Sequence, residues 1–289
     1  MRTLFRISIL LGLTAGLGAV TPRPAQAEAA PQQAKPKGKG KAKNELDSER
    51  LKKSLEGDEA QALAALDELS GVTPEQRPQA AELVNQVLVR GGNLKVLLRA
   101  LEVAGGLAQP SSSRESAAYV NHRQAEVRRG AVRSLSQTGG PEAVPALRAA
   151  LRGKDASLRG LAASGLATLK AKDAVPDLFA VLPHGVPEAA GAIGELCGQS
   201  ECQRFLELLG KLPFDVMETG LSPLVLRTDT ELTEEFKLEV VDRLRKLQTD
   251  DAATLIKTLL AQFPANGSAK VKVALIAASQ GKPVRKAEP

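Results

Sequence analysis

Aromatic side chains are almost missing from this chain, whose 289 residues include no Trp, six Phe and a single Tyr, Tyr119. Sites that bind sugars or single-stranded nucleic acid usually stack rings on aromatic side chains. A sugar-binding or nucleic-acid-binding function is therefore disfavoured. Because large aromatic residues are so few, the core of the protein must consist mainly of Leu, Val and Ala.

Histidine is also scarce, since only His122 and His184 occur and they are distant in sequence. Acid–base catalysis and metal binding often depend on imidazole. The motifs H-E-x-x-H and G-x-S-x-G and the phosphate-binding glycine loop do not occur. Ser279 and Lys282 match S-x-x-K, but no partner motif accompanies this short pattern. We predict no catalytic residue, no metal site, and neither a cofactor nor a cofactor-binding site.

The two cysteines of the chain, Cys197 and Cys202, are close in sequence. Two thiolates alone make a poor zinc site. Their spacing also differs from the C-x-x-C of thioredoxin-like redox sites. We favour a structural disulfide that closes a short loop between two helices. A metal site and a reactive thiol pair are the alternatives.

A long apolar run occurs only at the N-terminus. Arg2 and Arg6 precede an uncharged, mostly apolar stretch at 7–20, and Ala25-Gln26-Ala27 then has the small-x-small pattern that signal peptidase cuts. The stretch is shorter than the roughly 20 residues that cross a bilayer, which disfavours an uncleaved anchor. We predict a signal peptide over 1–27, cut after Ala27, and a periplasmic or secreted protein. An exported protein meets an oxidising environment, which agrees with a disulfide.

Positive charge is concentrated next to this signal. The chain has 39 Lys and Arg against 33 Asp and Glu, a formal net charge of +6. Three arginines lie within 1–27, and the residues after position 44 are almost neutral, so the basic balance does not indicate a nucleic-acid-binding face. Residues 28–44 are rich in Pro, Gln, Lys and Gly, and we predict a disordered tail. Its lysines are Lys35, Lys37, Lys39, Lys41 and Lys43.

From residue 45 onward, apolar residues recur at helical spacing, and no window alternates with the period of a β-strand. Thr73-Pro74 is typical of a helix start and Gly91-Gly92 of a helix end, after which Asn93 can cap the next helix. Further along, Asp250 is the expected cap of a helix that Pro264 ends. Short helices with short loops indicate stacked hairpins.

An internal repeat supports this interpretation. A shift of 31 residues superimposes apolar positions at helical spacing and places a proline at the start of each second helix. The sequence therefore predicts an all-α solenoid over 45–282, followed by a disordered C-terminus over 283–289. The aligned positions are Val127-Arg128 with Leu158-Arg159, Ala131-Val132 with Ala162-Ala163, Leu135 with Leu166, Val144-Pro145 with Val175-Pro176, Leu147 with Leu178, and Leu151 with Leu182. A third, weaker copy includes Ile193, Cys197, Leu206 and Leu209.

Over about residues 124–183 the repeat resembles the short bacterial HEAT-like repeats named after phycobilisome lyases. Arg128 and Arg159 match the arginine of that family, and Asp155 matches the acid of its turn. The resemblance implies an α-solenoid of stacked helix hairpins. It does not carry over chromophore-lyase activity, because these repeats occur in many unrelated proteins.

The chain departs from the family pattern at two positions. Gln124 stands where the acid before Val127 is expected, and Ala190 replaces the arginine of the third copy. A regular Asp–Arg ladder along the stack is therefore broken.

Two groups of residues are candidates for binding a partner. The segment 109–124 interrupts the repeat and contains Tyr119 and His122. Loops on one face of a solenoid often bind partners, although an ordinary connector is the simpler interpretation.

The second group is a possible basic ridge along consecutive first helices, formed by Arg128, Arg129 and Arg133 together with Arg159. In the structural alternative, Arg159 pairs with Asp155 and the other arginines are solvated.

The leading hypothesis is an exported, non-catalytic scaffold or adaptor that binds an unidentified protein in the cell envelope, with a monomer favoured. The first alternative is an envelope-assembly accessory or chaperone-like factor whose lysine tail contacts anionic membrane surfaces, where each Lys contributes about 1 kcal/mol. The second is an enzyme that uses the 109–124 loop. The bias toward Ala, Arg, Leu and Gly favours a bacterial source.

Overall fold

A computed structural model describes residues 46–227 and 232–281. The predicted signal peptide, the lysine tail and residues 283–289 lie outside this part. Within it, the regular elements are fifteen α-helices and four short 3-10 helices, with no β-strand. The predicted all-α class is confirmed. Helices long and apolar enough to cross a bilayer do not occur among the described residues.

The α-helices follow one another with short connections. They are α1 (Ser48–Leu55), α2 (Glu59–Ser70), α3 (Arg77–Arg90), α4 (Leu94–Leu107), α5 (Ser113–Ala117), α6 (Ala125–Thr138), α7 (Ala143–Leu151), α8 (Ala156–Thr168), α9 (Val175–Val181), α10 (Pro187–Leu196), α11 (Gln199–Leu206), α12 (Phe214–Leu226), α13 (Glu234–Leu247), α14 (Asp250–Gln262) and α15 (Ala269–Ser279).

Consecutive helices alternate between two layers. The even-numbered helices from α2 to α14 pack side by side in chain order, and the odd-numbered helices form the second layer. In that layer, α11 reaches its neighbours through side chains: Arg204 lies over the ring of Phe179 in α9, and Gln203 bonds Glu239 in α13. The predicted solenoid of stacked helices is confirmed.

The positions aligned by the 31-residue offset are mostly core positions. Leu135 and Leu166 are fully buried, and so are Leu147 and Leu178. The hydrophobic cluster runs without interruption from Leu51 to Ala278. A helix pair in a solenoid cannot bury its apolar face alone, so each one depends on its neighbours in this shared core.

The helix ends test the cap predictions directly. Asn93 accepts a hydrogen bond from the backbone N–H of Val96 at 3.0 Å, as predicted, and Gly91 ends α3 with a positive φ of 72°. The prediction for α14 is wrong by one residue. Thr249 is its cap, because the Thr249 backbone is extended and its hydroxyl accepts from Ala252 N–H at 3.2 Å. Asp250 instead lies in the first turn, where its charge favours the helix dipole.

Helices α10 and α12 approach each other backbone to backbone. A Cβ atom added to Gly194 would lie 2.2 Å from the carbonyl oxygen of Gly220. One added to Gly220 would lie 2.4 Å from the carbonyl oxygen of Ala190 and 2.6 Å from the ring of Phe205. This spacing is possible only because both positions lack a side chain.

We expect Gly220→Ala to destabilise the protein, because the added methyl group must push two helix backbones apart. Overpacking of this kind costs about 1–3 kcal/mol, and a contact with a rigid backbone belongs at the upper end. Urea and thermal denaturation of the full chain would measure the decrease in the free energy of unfolding.

The control is Gly106→Ala in α4, where an added Cβ meets no atom within 4 Å. Alanine has a higher helix propensity than glycine, so this change should stabilise the chain by up to about 1 kcal/mol. Equal effects of the two substitutions would contradict the importance of the close approach.

Candidate functional site

Arg128 connects two successive repeats. It lies on α6, and its Nη1 donates to the backbone carbonyls of His122 at 3.0 Å and Arg123 at 3.1 Å, in the loop before that helix. Its Nη2 pairs with Asp155 at 3.1 Å. Asp155 also caps α8 by accepting from Leu158 N–H at 3.2 Å. Arg128 therefore holds the start of α8 against the loop before α6.

The expected pairing of Arg159 with Asp155 is wrong. Arg159 donates to the carbonyls of Gly153 and Lys154, both at 3.1 Å, which are the counterparts of the two carbonyls that Arg128 binds. Each arginine thus folds back on its own preceding loop, and any acid partner comes from the next repeat. Asp155 serves Arg128 in this way, but Val186 stands at the position that would serve Arg159. The ladder is therefore interrupted at Val186 as well as at Gln124 and Ala190, the two positions on which the predicted break rested.

The environment of Asp155 favours its ionised form. The hydrogen bond from the backbone of Leu158 and that from Arg128 lower the pKa of this carboxyl below its ordinary value, and the charge of Arg129 acts in the same direction. The Asp155 carboxylate therefore caps α8 and also links two successive repeats.

Arg129 and Arg133 lie on the outward side of α6 and remain candidates for binding. Arg133 is exposed and Arg129 is half-buried. Neither side chain forms a hydrogen bond or an ion pair with the residues that the structure describes. The predicted basic ridge is thereby reduced to these two residues, because Arg128 and Arg159 are occupied by backbone carbonyls.

Tyr119 and His122 lie together in the turn after α5, with ring centroids 6.0 Å apart. The Tyr119 hydroxyl donates to the carbonyl of Leu88 in α3, and burial raises its pKa above the ordinary value. His122 Nδ1 accepts from the backbone N–H of Gln124 at 3.2 Å. Both side chains are therefore engaged by the backbone, which supports a structural role.

The segment 109–124 that contains this pair takes a regular place in the stack. It forms a 3-10 helix (Pro110–Ser112) and the short helix α5, which packs in the odd layer near α3 and α7. The buried hydroxyls of Ser116 and Ser134 share a hydrogen bond of 2.9 Å between α5 and α6. What interrupts the repeat in the sequence is a shortened helix.

An open groove in the odd layer was not expected from the sequence. We call it the α7–α9 groove; it has a volume of about 400 Å³ and is lined by Val144, Pro145, Arg148, Arg152 and Asp173. Three of these residues lie on α7, Arg152 directly follows it, and Asp173 lies in the 3-10 helix (Lys172–Ala174) before α9. The groove therefore combines an apolar pair, Val144 and Pro145, with two arginines.

Asp177 of α9 holds both arginines in place. It accepts from Arg148 Nε at 2.6 Å and from Arg152 Nη2 at 2.6 Å, while Arg148 Nη1 also contacts Asp173 at 3.4 Å. The Asp177 side chain is only 12% exposed. Its burial raises the pKa of the carboxyl, but the hydrogen bond from Arg152 and the two positive charges outweigh burial and leave the pKa below its ordinary value.

The predicted disulfide is present between Cys197 and Cys202. Both residues are fully buried; Cys197 directly follows α10, and Cys202 lies in the first part of α11. Arg227 Nη2 donates to the carbonyl of Cys197 at 3.0 Å and so fixes the same turn to the end of α12. Among the described residues, no group of three or more His, Cys, Asp or Glu is arranged to hold a metal ion.

We expect Asp177→Asn to lower the free energy of unfolding by about 1–2 kcal/mol at neutral pH, because two arginines lose a charged acceptor. A carboxyl with a lowered pKa stabilises the fold above its unfolded pKa, near 3.9, and that contribution is lost as pH falls through the folded pKa. The difference in the free energy of unfolding between wild type and Asp177→Asn should therefore become smaller below about pH 4.

Urea denaturation at a series of pH values would measure this difference. The matched control is Asp173→Asn, because the Asp173 carboxylate is 69% exposed and makes one long contact with Arg148. Exposed ion pairs contribute about 0–1 kcal/mol, so its effect should be smaller. A constant difference between wild type and Asp177→Asn from neutral to acid pH would contradict the role of ionised Asp177.

Comparisons with known proteins agree with the two-layer stack. Residues 81–159 match the family described as HEAT repeats, so the match begins in α3, before the repeat that is visible in the sequence. No curated protein matches the chain.

Several solved structures are similar to the chain at low sequence identity. A homology model of the full-length AP-3 complex in an intermediate open conformation is similar at 16% identity with a TM-score of 0.50, covering 81% of this chain and 50% of that one. The complex of CpcE and CpcF of phycocyanin lyase from Nostoc sp. PCC7120 is similar at 15% identity and a TM-score of 0.45, covering 86% and 99%. An engineered protein has 18% identity and a TM-score of 0.45, covering 80% and 77%. The repeat match over residues 81–159 and the two-layer stack together show a HEAT-like helical-repeat fold.

Proposed function

We propose that this protein is an exported, non-catalytic scaffold that binds a protein partner through the α7–α9 groove. The observation that carries the proposal is the pair Arg148 and Arg152, held by Asp177 beside the apolar Val144 and Pro145. Binding energy at protein interfaces is concentrated in a few residues, and arginine is enriched among them.

The fixed position of the two arginines supports this role. Side chains that are already ordered lose less conformational entropy on binding. Arg152 is anchored at its Nε and Nη2 by Asp177 and is still 64% exposed. The surface is therefore both rigid and accessible.

The chemistry of the groove favours a particular kind of partner segment. Nη2 of Arg148 and Nη1 of Arg152 have no acceptor among the described residues. A carboxylate of the partner would supply one, while an apolar side chain beside it would cover Val144 and Pro145. We infer that the partner presents an exposed segment with an acidic residue next to an apolar one.

Photo-crosslinking in the native envelope tests this assignment. A photoreactive amino acid at Pro145, which is exposed, should give one recurrent crosslinked protein. The control position is Ser164 of α8, exposed in the even layer, which should give none. The substitution Arg152→Glu in the crosslinking variant should reduce the yield at least tenfold, because it sets a like charge against the partner's carboxylate. Equal yields from the two positions would contradict the groove as the binding site.

Export is part of the proposal and rests on the signal sequence. We expect the mature chain to begin at Glu28, after removal of 1–27. N-terminal sequencing of the protein from separated periplasmic, secreted and cytoplasmic fractions would identify the first residue of the chain in each compartment. A full-length chain starting at Met1 in the cytoplasm would refute export.

A second candidate function is contact of the lysine tail with anionic surfaces during envelope assembly, favoured by the five lysines between Lys35 and Lys43. Deleting 35–43 should abolish binding to vesicles that contain anionic lipid, since each lysine contributes about 1 kcal/mol there. Vesicles of neutral lipid are the control. Unchanged binding to anionic vesicles after the deletion would exclude this role.

A further inference from the structure

Arg204 is an exposed arginine on α11 whose charge is not neutralised by an acid. Its guanidinium carbon lies 4.5 Å from the centre of the Phe179 ring on α9. The guanidinium forms no hydrogen bond or ion pair in the part of the chain that the structure describes. The acids of the same helix are not its partners, because Glu201 accepts from the backbone N–H of Gly198 at 3.0 Å. The N–H groups of Arg204 are therefore free to bind another molecule.

The Phe179 ring holds this arginine without using its N–H groups. The ring is itself fixed, since it is buried and packs edge-on against Phe205 with centroids 6.5 Å apart. A guanidinium that lies over a ring can still donate to a carboxylate with the N–H groups in its own plane. Arg204 therefore resembles Arg152 of the α7–α9 groove, because both are held in place and accessible.

Helix α9 lies between Arg204 and the arginines of the groove. Asp177 and Phe179 are two positions apart on α9, so they point to opposite flanks of the helix. Asp177 holds the two arginines of the α7 side, and Phe179 lies under Arg204 of α11. Between the two flanks, Pro176 and Ala180 are four positions apart and exposed. We call these two residues the α9 face.

The α9 face connects two cationic groups through a surface that carries no charge. A helix with its side chains is about 10–12 Å wide, which gives the approximate separation of the guanidinium groups on its two flanks. Proline and alanine have short side chains and do not rise between these groups. A segment that lies across α9 can therefore contact both flanks at once.

We propose that the partner segment in the α7–α9 groove continues across the α9 face and places a second carboxylate on Arg204. This inference rests on the proposed function of the groove and extends it. Four residues of extended chain span about 13 Å, close to the separation of the two flanks. Alternate side chains of such a chain point the same way. The recognised pattern is therefore acid-x-apolar-x-acid, with the central apolar side chain on Pro176 and Ala180.

The charges of this surface fit carboxylates better than phosphate groups. Three arginines (Arg148, Arg152 and Arg204) and two acids (Asp173 and Asp177) leave a net charge of +1. Two carboxylates nearly balance this charge. Two phosphate groups would bring about −3 to −4 at neutral pH, next to two acids of the protein. The singly charged group is therefore the better ligand at each flank.

Peptide binding to the mature chain tests the pattern. The probe is a fluorescently labelled peptide G-E-S-L-S-E-G, and the control is G-E-E-L-S-S-G, which has the same composition but adjacent acids that point to opposite sides. Fluorescence anisotropy at up to about 1 mM protein covers weak binding. The probe should bind about fivefold more tightly than the control, at the upper end of the range for an exposed ion pair.

Substitutions of Arg204 assign the difference to this residue. Arg204→Ala should abolish the preference for the probe and leave the affinity for the control peptide unchanged. Arg204→Lys should retain part of the preference, because lysine keeps the charge but cannot bind a carboxylate with two parallel hydrogen bonds. The matched control is Arg133→Ala, at an exposed arginine of the even layer, and it should behave like the wild type. Far-ultraviolet circular dichroism verifies that each variant is folded.

Three results would overturn the second contact. They are equal affinity of the wild type for the two peptides, an unchanged preference in Arg204→Ala, and no binding of either peptide at about 1 mM protein.

Photo-crosslinking in the native envelope separates this inference from the groove itself. A photoreactive amino acid at Ala180 should capture the same protein as one at Pro145, and adding Arg204→Glu should lower the yield at Ala180 about fivefold. Capture from Pro145 with none from Ala180 would contradict the second contact and leave the groove as the binding site. No capture from either position would contradict both.

Discussion

The fold depends on one constraint: the apolar face of each helix pair can be buried only by the next pair in the stack. The core therefore runs unbroken from Leu51 to Ala278. The spacing between neighbours is set by small residues, most tightly where Gly194 and Gly220 bring two backbones together. Because every pair is held by its neighbours, the surface positions of one repeat, including those of the α7–α9 groove, are fixed by the packing of the next.

Arginine has two different roles along this stack. Arg128 and Arg159 turn back to the carbonyls of their own loops, so they complete the backbone hydrogen bonding of the turns. Arg148 and Arg152 are held by a carboxylate of the next repeat and keep an accessible surface. The same residue type thus serves the architecture in one layer and presents a rigid polar surface in the other. The difference is that backbone carbonyls bind the guanidinium groups of Arg128 and Arg159, whereas only carboxylates bind those of Arg148 and Arg152.

The sequence predicted those features that depend on local patterns. The 31-residue offset identified core positions such as Leu135 and Leu166, and cap chemistry identified Asn93. Pairings between repeats were not accessible, because acids such as Asp177 are far along the chain from the arginines that they hold. Proximity in sequence led to the wrong partner for Arg159.

The disulfide has a consequence for how the protein responds to mechanical force. Cys197 and Cys202 are separated by five positions, and the bond closes only the turn between α10 and α11. A bond that closes so short a loop removes little entropy from the unfolded chain. It also ties no repeat covalently to another. Under tension, the helix pairs would separate one after another, and the bond would shorten the extended chain by only a few residues.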